Sequence, residues 1–235
     1  MSVTKAIATA AAATPFVSDT LLSALGPLTI FPDGPTLQHE WDEDVGVWER
    51  YTLAVHTRYV LRQFETYFSD AVLPEGIRRP ALRVALALHD AGKPEAIRCG
   101  SKRLQHEKTV ALLAHVGPVL PLTPAELTWT QALIDGDPLG SFFRDRLTLD
   151  ETACHIRQSA SDSHLALETY AALLIIYYQC DASAYTIDAG GQPSLEKLFA
   201  PRTALGFPHT ATGRRLRFND DLEVRLADLR VRLGL

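Results

Sequence analysis

Cysteine is scarce in this chain. Cys99, Cys154 and Cys180 are an odd number without CxxC spacing, which argues against a disulfide framework or a thiolate zinc site and suits a reducing compartment. Long apolar runs are also missing. The longest, Tyr170 to Tyr178, falls far short of the roughly 20 residues that span a bilayer, and it reads as a buried helix; no membrane partner is expected. A surplus of positive charge is lacking too. A net charge of −5 does not suit a protein whose main task is gripping a long polyanion, so extended nucleic-acid binding is not expected. Met1 to Thr14 is alanine-rich with one lysine and lacks the apolar core of a secretory signal. A cytoplasmic protein with a loose or weakly helical leader is the expected reading. Neither an internal repeat nor a low-complexity linker interrupts the chain.

What is present is the composition of a globular domain: 235 residues, 46% hydrophobic and 22% charged, enough to bury a sizeable core. The pattern predicts an all-α protein. Residues 1–45 read as an irregular N-terminal extension, 46–189 as a helical domain, and 190–235 as a C-terminal extension packing on it. Turn chemistry at Gly26-Pro27 and Pro32-Asp33-Gly34-Pro35 predicts a loop from Pro27 to Pro35. The acidic patch Glu40, Asp42, Glu43 and Asp44 precedes an expected helix from Val45 to Phe68, where it would complement the helix dipole. On that helix Trp48, Tyr51, Val55, Tyr59 and Arg62 form a stripe at spacings of three and four. Further helices are expected over Pro80–Ala91, stopped by Gly92, over Gln105–Val116, and from Thr123-Pro124-Ala125-Glu126, a capping box, to Ile134. Gly136 to Gly140 reads as a turn. Helices over Leu149–Ser159 and His164–Tyr185 follow, then an irregular or hairpin-like stretch from Pro201 to Gly213, and an amphipathic helix over Leu222–Leu233 capped by Asn219-Asp220.

The chemistry concentrates in Ala85-Leu86-Ala87-Leu88-His89-Asp90-Ala91-Gly92-Lys93-Pro94. A polar doublet ends an apolar run there. Burying such groups unpaired costs on the order of 2–7 kcal/mol each, and a bound cation removes the cost because neutral imidazole and carboxylate are both metal ligands. His56 and Asp181 sit in the same way on otherwise apolar helical segments, so four ligand-type side chains interrupt three helices. Two nitrogens and at least two oxygens suit an octahedral divalent ion such as Mn²⁺, Fe²⁺, Co²⁺, Ni²⁺ or Mg²⁺ with positions left for water.

At these residues the chain resembles the HD-domain superfamily of metal-dependent phosphohydrolases, marked by a His, a His-Asp doublet and a distant Asp. With Gly-Lys-Pro behind the doublet, it looks most like the HD domains related to tRNA nucleotidyltransferases and poly(A) polymerases. The resemblance runs from about Trp48 to about Tyr185. It implies a helical bundle in which His56, His89, Asp90 and Asp181 hold one ion, and it places His106 near that ion. The implied activity is cleavage of a phosphomonoester or phosphodiester, most plausibly of a nucleotide, with Asp90 both as ligand and as acceptor of the attacking water's proton. Lys93 reads either as a phosphate contact or as a cation at a helix end. Arg98, Lys102, Arg103 and Lys108 form a basic patch able to hold phosphate oxygens or simply a solvated loop. Arg144 and Arg146 follow on a polar stretch and either reach the site or face solvent. Where two-ion members carry a further histidine, this chain has Asp135 and Asp137, each a ligand, a base or a turn cap. That departure weakens two alternatives, an iron-dependent oxygenase of the same fold and a second tight ion; a metal-binding interaction module without turnover is the third reading. Arg214, Arg215 and Arg217 read as a solvated turn.

Overall fold

The computed structural model describes residues 1–32, 34–43, 52–185, 198–199, 209–210, 213–214 and 216–235. The protein is all-α, as its pattern predicts; the one strand pairing among the described residues joins β1 (His209–Thr210) to β2 (Gly213–Arg214), a short antiparallel hairpin. Among the described residues no helix is long and apolar enough to cross a membrane.

The centre of the fold is α5 (Arg79–Leu88), in which every residue from Ala81 to Leu88 is buried. A helix that is apolar all round must be covered on all sides. One side is covered by α4 (Leu53–Phe68), which also packs on α11 (Leu167–Ser183). Another is covered by the N-terminal residues; of the two readings of the leader, loose or weakly helical, the helical one holds, and the irregular extension expected after it is replaced by helices. α1 (Val3–Ala12), α2 (Ser18–Leu25) and α3 (Leu37–Asp42) are formed helices that bury Ile7, Leu21, Leu25, Leu37 and Trp41 in the common core. Arg83, buried within α5, explains the docking of α1. It makes a bidentate pair with Glu65 of α4 at 2.8 and 2.9 Å and donates to the Ala11 carbonyl at 2.7 Å, satisfying an orphan acceptor at the end of α1. The acidic patch is not all surface either: Glu40 is fully buried against Arg98.

α4 begins later than expected. Thr52 caps it through its hydroxyl and the Val55 N–H at 3.4 Å; Val45, Trp48 and Tyr51 lie outside the described residues. Its buried face is Leu53, His56, Thr57, Val60, Leu61 and Phe64, and not the stripe through Val55, Tyr59 and Arg62. Tyrosine and the long arginine stem mimic an apolar stripe while keeping their polar ends outside.

Two short helices replace expected breaks. α6 (Lys93–Arg98) starts where Gly92 was expected to stop the chain, and α9 (Pro138–Phe143) starts inside the expected Gly136–Gly140 turn. Six-residue helices show no periodicity to read. The remaining helices keep close to their signals: α7 (Gln105–Val116), α8 (Pro124–Ile134) with the Thr123/Glu126 capping box, α10 (Leu149–Asp162) and α12 (Asp220–Leu233), capped by Asn219 and ended by a left-handed Gly234. α11 starts at Leu167 because Ser163 to Leu165 turn back on α10, with the Ser163 hydroxyl donating to the Ala160 carbonyl at 2.9 Å. α12 packs along α10 and buries Leu222, Leu226, Leu229 and Leu233. The expected boundaries near residues 45 and 189, and most of Pro201 to Gly213, lie outside the described residues.

Candidate metal centre and its cleft

The His-Asp doublet sits in a fully buried turn between α5 and α6. Ala91 N–H donates to the Leu88 carbonyl at 3.1 Å and Lys93 N–H to the Asp90 carbonyl at 2.9 Å, which closes the turn. Gly92 then lets it dock on α7. A Cβ at that position would stand 2.5 Å from the Lys108 carbonyl carbon and overlap the Thr109 backbone, and the Gly92 N–H donates to the Thr109 hydroxyl at 3.0 Å. Glycine is there for close approach, not to end a helix.

The turn aims His89 inward. Its Nδ1 lies 2.7 Å from the Leu86 carbonyl, which can only accept, so Nδ1 carries the proton and Nε2 of the neutral ring presents a bare lone pair. That lone pair faces His56 Nε2 at 3.2 Å and Asp181 Oδ1 at 3.4 Å. His56 Nε2 and Asp181 Oδ1, 125 residues apart in sequence, lie 3.0 Å from each other. Asp90 Oδ2 is 3.7 and 3.8 Å from the two imidazole nitrogens and accepts from Lys93 Nζ at 2.9 Å. Ligand atoms of His56, His89 and Asp90 all fall within 4.8 Å of one another.

Lys93 Nζ serves Asp90; beyond it, the groups that face one another here are carboxylate oxygens and imidazole nitrogens, a set that attracts positive charge. The three edges of 3.0, 3.2 and 3.4 Å are those of one face of an octahedron whose metal–ligand bonds are roughly 2.1–2.4 Å. The donor set therefore fits a divalent ion. Electrostatics favour the ligating form at His56, Asp90 and Asp181 and oppose it at His89. Burial pushes the His56 imidazole down, toward the neutral form that ligates. Burial acts the same way on His89 but is outweighed by Asp90, Asp181 and the Leu86 carbonyl, so its pKa rises. Burial opposes the charge on both aspartates, yet Lys93 and the imidazoles hold Asp90, and His56 and His89 hold Asp181, well below the usual carboxylate range. Tyr185 stacks on the His56 ring at 4.5 Å, and Tyr177 meets the His89 ring edge-on at 6.1 Å.

Asp90 and Asp181 open onto a cleft of about 590 Å³, lined also by Lys93, Lys102, His106, Arg144, Arg146 and Tyr178. His106, near the start of α7, repeats the His89 device: Nδ1 donates to the Ile134 carbonyl at 2.9 Å, leaving Nε2 to take the Gln105 amide at 3.3 Å beside the cleft. Lys93 is neither a surface cation nor at the end of α5; it is 2% exposed, opens α6 and engages Asp90. Lys102 and Arg144 line the cleft, whereas Arg103 is exposed and is not among the lining residues. Asp137 caps α9 by accepting from the Gly140 N–H at 2.8 Å and is paired with Arg144. Asp135 is exposed at the end of α8 and does not line the cleft. Arg98 is engaged with Glu40 and Glu95, and Arg217 with Asp220. Sequence reasoning passed over Gln105, Ser141, Tyr177, Tyr178 and Tyr185. For Tyr177 and Tyr178 a signal existed, since they lie four and three residues before Asp181 on the same helix face.

No family model, curated protein or solved structure matches the chain. The functional reading therefore rests on the site.

Proposed function

We propose that the protein is a metal-dependent phosphohydrolase of the HD type, acting on a phosphomonoester or phosphodiester of nucleotide size. One observation carries this reading: His56, His89 and Asp181 meet with edges of 3.0–3.4 Å, Asp90 lies beside them, and Asp90 and Asp181 line a cleft whose cations outnumber its carboxylates. His56, His89, Asp90 and Asp181 would hold the ion. A divalent ion bound there supplies charge stabilisation for a phosphoryl oxygen and a water of near-neutral pKa.

The chain's own groups do the rest. The Leu86 carbonyl fixes the His89 tautomer, as a ligating imidazole is held in orientation by a partner on its second nitrogen. Lys93 keeps Asp90 ionised and in place, so that Asp90 can accept a proton from an attacking water. His106 presents Nε2 toward the cleft, where its neutral form accepts and its protonated form donates to a phosphate or leaving oxygen. The cleft volume falls within the range of roughly 300–1,000 Å³ usual for small-ligand sites.

Elemental analysis of protein purified without chelators, followed by a screen of nucleotides and phosphate esters with Mn²⁺, Fe²⁺, Co²⁺, Ni²⁺ and Mg²⁺, tests the proposal. About one ion per chain and metal-dependent phosphate release are expected. Protein that neither retains nor responds to any of these ions overturns it.

A further inference from the structure

Between the start of α7, the α9 wall at Asp137 and α11 lies a recess of about 50 Å³, which shares Asp90 and Asp181 with the metal centre and is lined also by Gln105, His106 and Tyr178. At roughly 10–15 Å³ per water it has room for about three to five waters, or for the end of a ligand. No lysine or arginine is among its lining residues, in contrast to the wider cleft. Two of those residues carry buried side-chain atoms with no hydrogen-bond partner among the described residues, Gln105 Oε1 and Tyr178 Oη. The direction of the Gln105 amide follows from its neighbour. His106 Nδ1 donates to the Ile134 carbonyl, so Nε2 of the neutral ring accepts, and only the amide N–H can serve it. Oε1, an acceptor, is the atom left over. Tyr178 is 5% exposed, its ring set edge-on to Phe143 at 5.5 Å and beside Phe218 at 6.1 Å. Burial raises its pKa, so the phenol keeps its proton. A buried polar atom without a partner is destabilising, and a phenylalanine would fill the same space without one.

An open acceptor and an open donor in one recess select among ligand groups. A phosphate oxygen would take the Tyr178 O–H but face Gln105 Oε1 acceptor to acceptor, with no lysine or arginine in the lining to offset its charge. An ammonium would satisfy Oε1 and leave the Tyr178 hydrogen unused. A hydroxyl carries a hydrogen and lone pairs on one oxygen and serves both. The recess meets the metal nest at Asp90 and Asp181, so a hydroxyl held in it lies close to a phosphate held at the ion. We infer that Gln105 and Tyr178 form a hydroxyl subsite, so that the preferred substrate is a phosphate ester with a free hydroxyl on the carbon next to the ester carbon. This deepens the phosphohydrolase reading and rests on it for the place of the phosphate.

The test compares adenosine 3′-monophosphate with 2′-deoxyadenosine 3′-monophosphate on the full chain with Mn²⁺. It is read as kcat/KM for phosphate release where the esters are cleaved, and as affinity by calorimetric titration where they are not. The ribose ester should be favoured at least tenfold, since a site built to bond a hydroxyl rejects the analogue that lacks it. Tyr178→Phe keeps the ring packing and removes only the oxygen, and Gln105→Leu removes the acceptor; each should bring the ratio to within threefold. Equal values in the parent protein, or a preference that survives either substitution, overturn the subsite and leave the recess to ordered water. A tenfold preference in affinity in a protein that cleaves neither ester keeps the subsite and sinks the hydrolase reading. Equal cleavage of both esters does the reverse, so the two fail separately.

Discussion

Asp90 and Asp137 stand at helix termini beside the same cleft, yet they are used in opposite ways. Asp137 is satisfied by its own neighbourhood: it caps α9 and pairs with Arg144, seven residues on. Asp90 reaches a buried lysine three residues on, the imidazole of its neighbour His89 and that of His56 brought from α4, with Asp181 adding a second carboxylate to the group. The first is a completed piece of local structure. The second belongs to a cluster of imidazoles and carboxylates from three parts of the chain, which on the proposed reading a cation completes. Helix-end aspartates are common because they cap, and that is the role Asp137 fills.

The largest effect expected from breaking this contrast is on metal retention. His89→Ala and Asp181→Ala should each weaken the ion by on the order of 10²-fold or more, because losing only an outer partner of a ligand already costs roughly 10–100-fold. Titration with Mn²⁺ measures it. Unchanged affinity in both variants would leave the nest as a hydrogen-bonded core and no more.

Next comes the lysine that balances Asp90. The side chains of Lys93 and Asp90 are 3% and 10% exposed, and removing one partner of a buried pair costs about 3–5 kcal/mol. Lys93→Met should lower stability by that order in urea unfolding. Added Mn²⁺ should restore a larger share of stability to the variant than it adds to the parent, since an ion replaces the lost positive charge beside Asp90. A loss below about 1 kcal/mol would show that Asp90 does not depend on Lys93.

Asp137→Ala supplies the other half of the comparison. It removes a cap and a half-exposed ion pair, for about 1–2 kcal/mol of stability, and should leave metal content as it is. Loss of the ion on this substitution would erase the distinction between the two aspartates and bring Asp137 into the metal centre.

How far the chain announces all this differs between the same two regions. The doublet is legible because polar groups at the end of an apolar run are costly unless something pairs with them, and His56 and Asp181 repeat the anomaly. Capping chemistry likewise marks α7, α8 and α12 closely, since Ser/Thr/Asn caps and Gly-Pro stops act over a few residues. The α9 wall is not legible in that way. Its helix is one and a half turns long, too short to show a period, and the contacts of Arg225 of α12 with Phe142 and Asp145 depend on tertiary placement. Helices α2 and α3 were missed, and α1 was expected only as one of two alternatives, for a related reason. Alanine-rich α1 has little apolar pattern of its own, and its place is dictated by α5, whose all-round apolar run needed a cover. Glu40 shows the same limit, since only the fold brings Arg98 to it.

The smallest effect concerns a carboxylate that, like Asp137, closes the start of a helix but does not line the cleft, and it serves as the control. Glu126 closes the capping box of α8 and forms a bidentate pair with Arg78 at 2.6 Å. Burial opposes its charge, but the Arg78 guanidinium and the Thr123 N–H outweigh that and hold its pKa below the ordinary value. A depressed folded-state pKa contributes stability that is fully present above the unfolded value, near 4.5, and is lost as pH falls through the folded one. Arg78 is 55% exposed, so solvent screening limits the contribution to about 1 kcal/mol. Glu126→Gln should therefore cost about that much at neutral pH and flatten the acid limb of the stability curve below pH ~4.5, with Mn²⁺ affinity unmoved. If the curve keeps its slope, the pair adds nothing to folding. If Mn²⁺ affinity falls with it, satisfaction by local structure does not separate the capping carboxylates of this protein from the ones that bind.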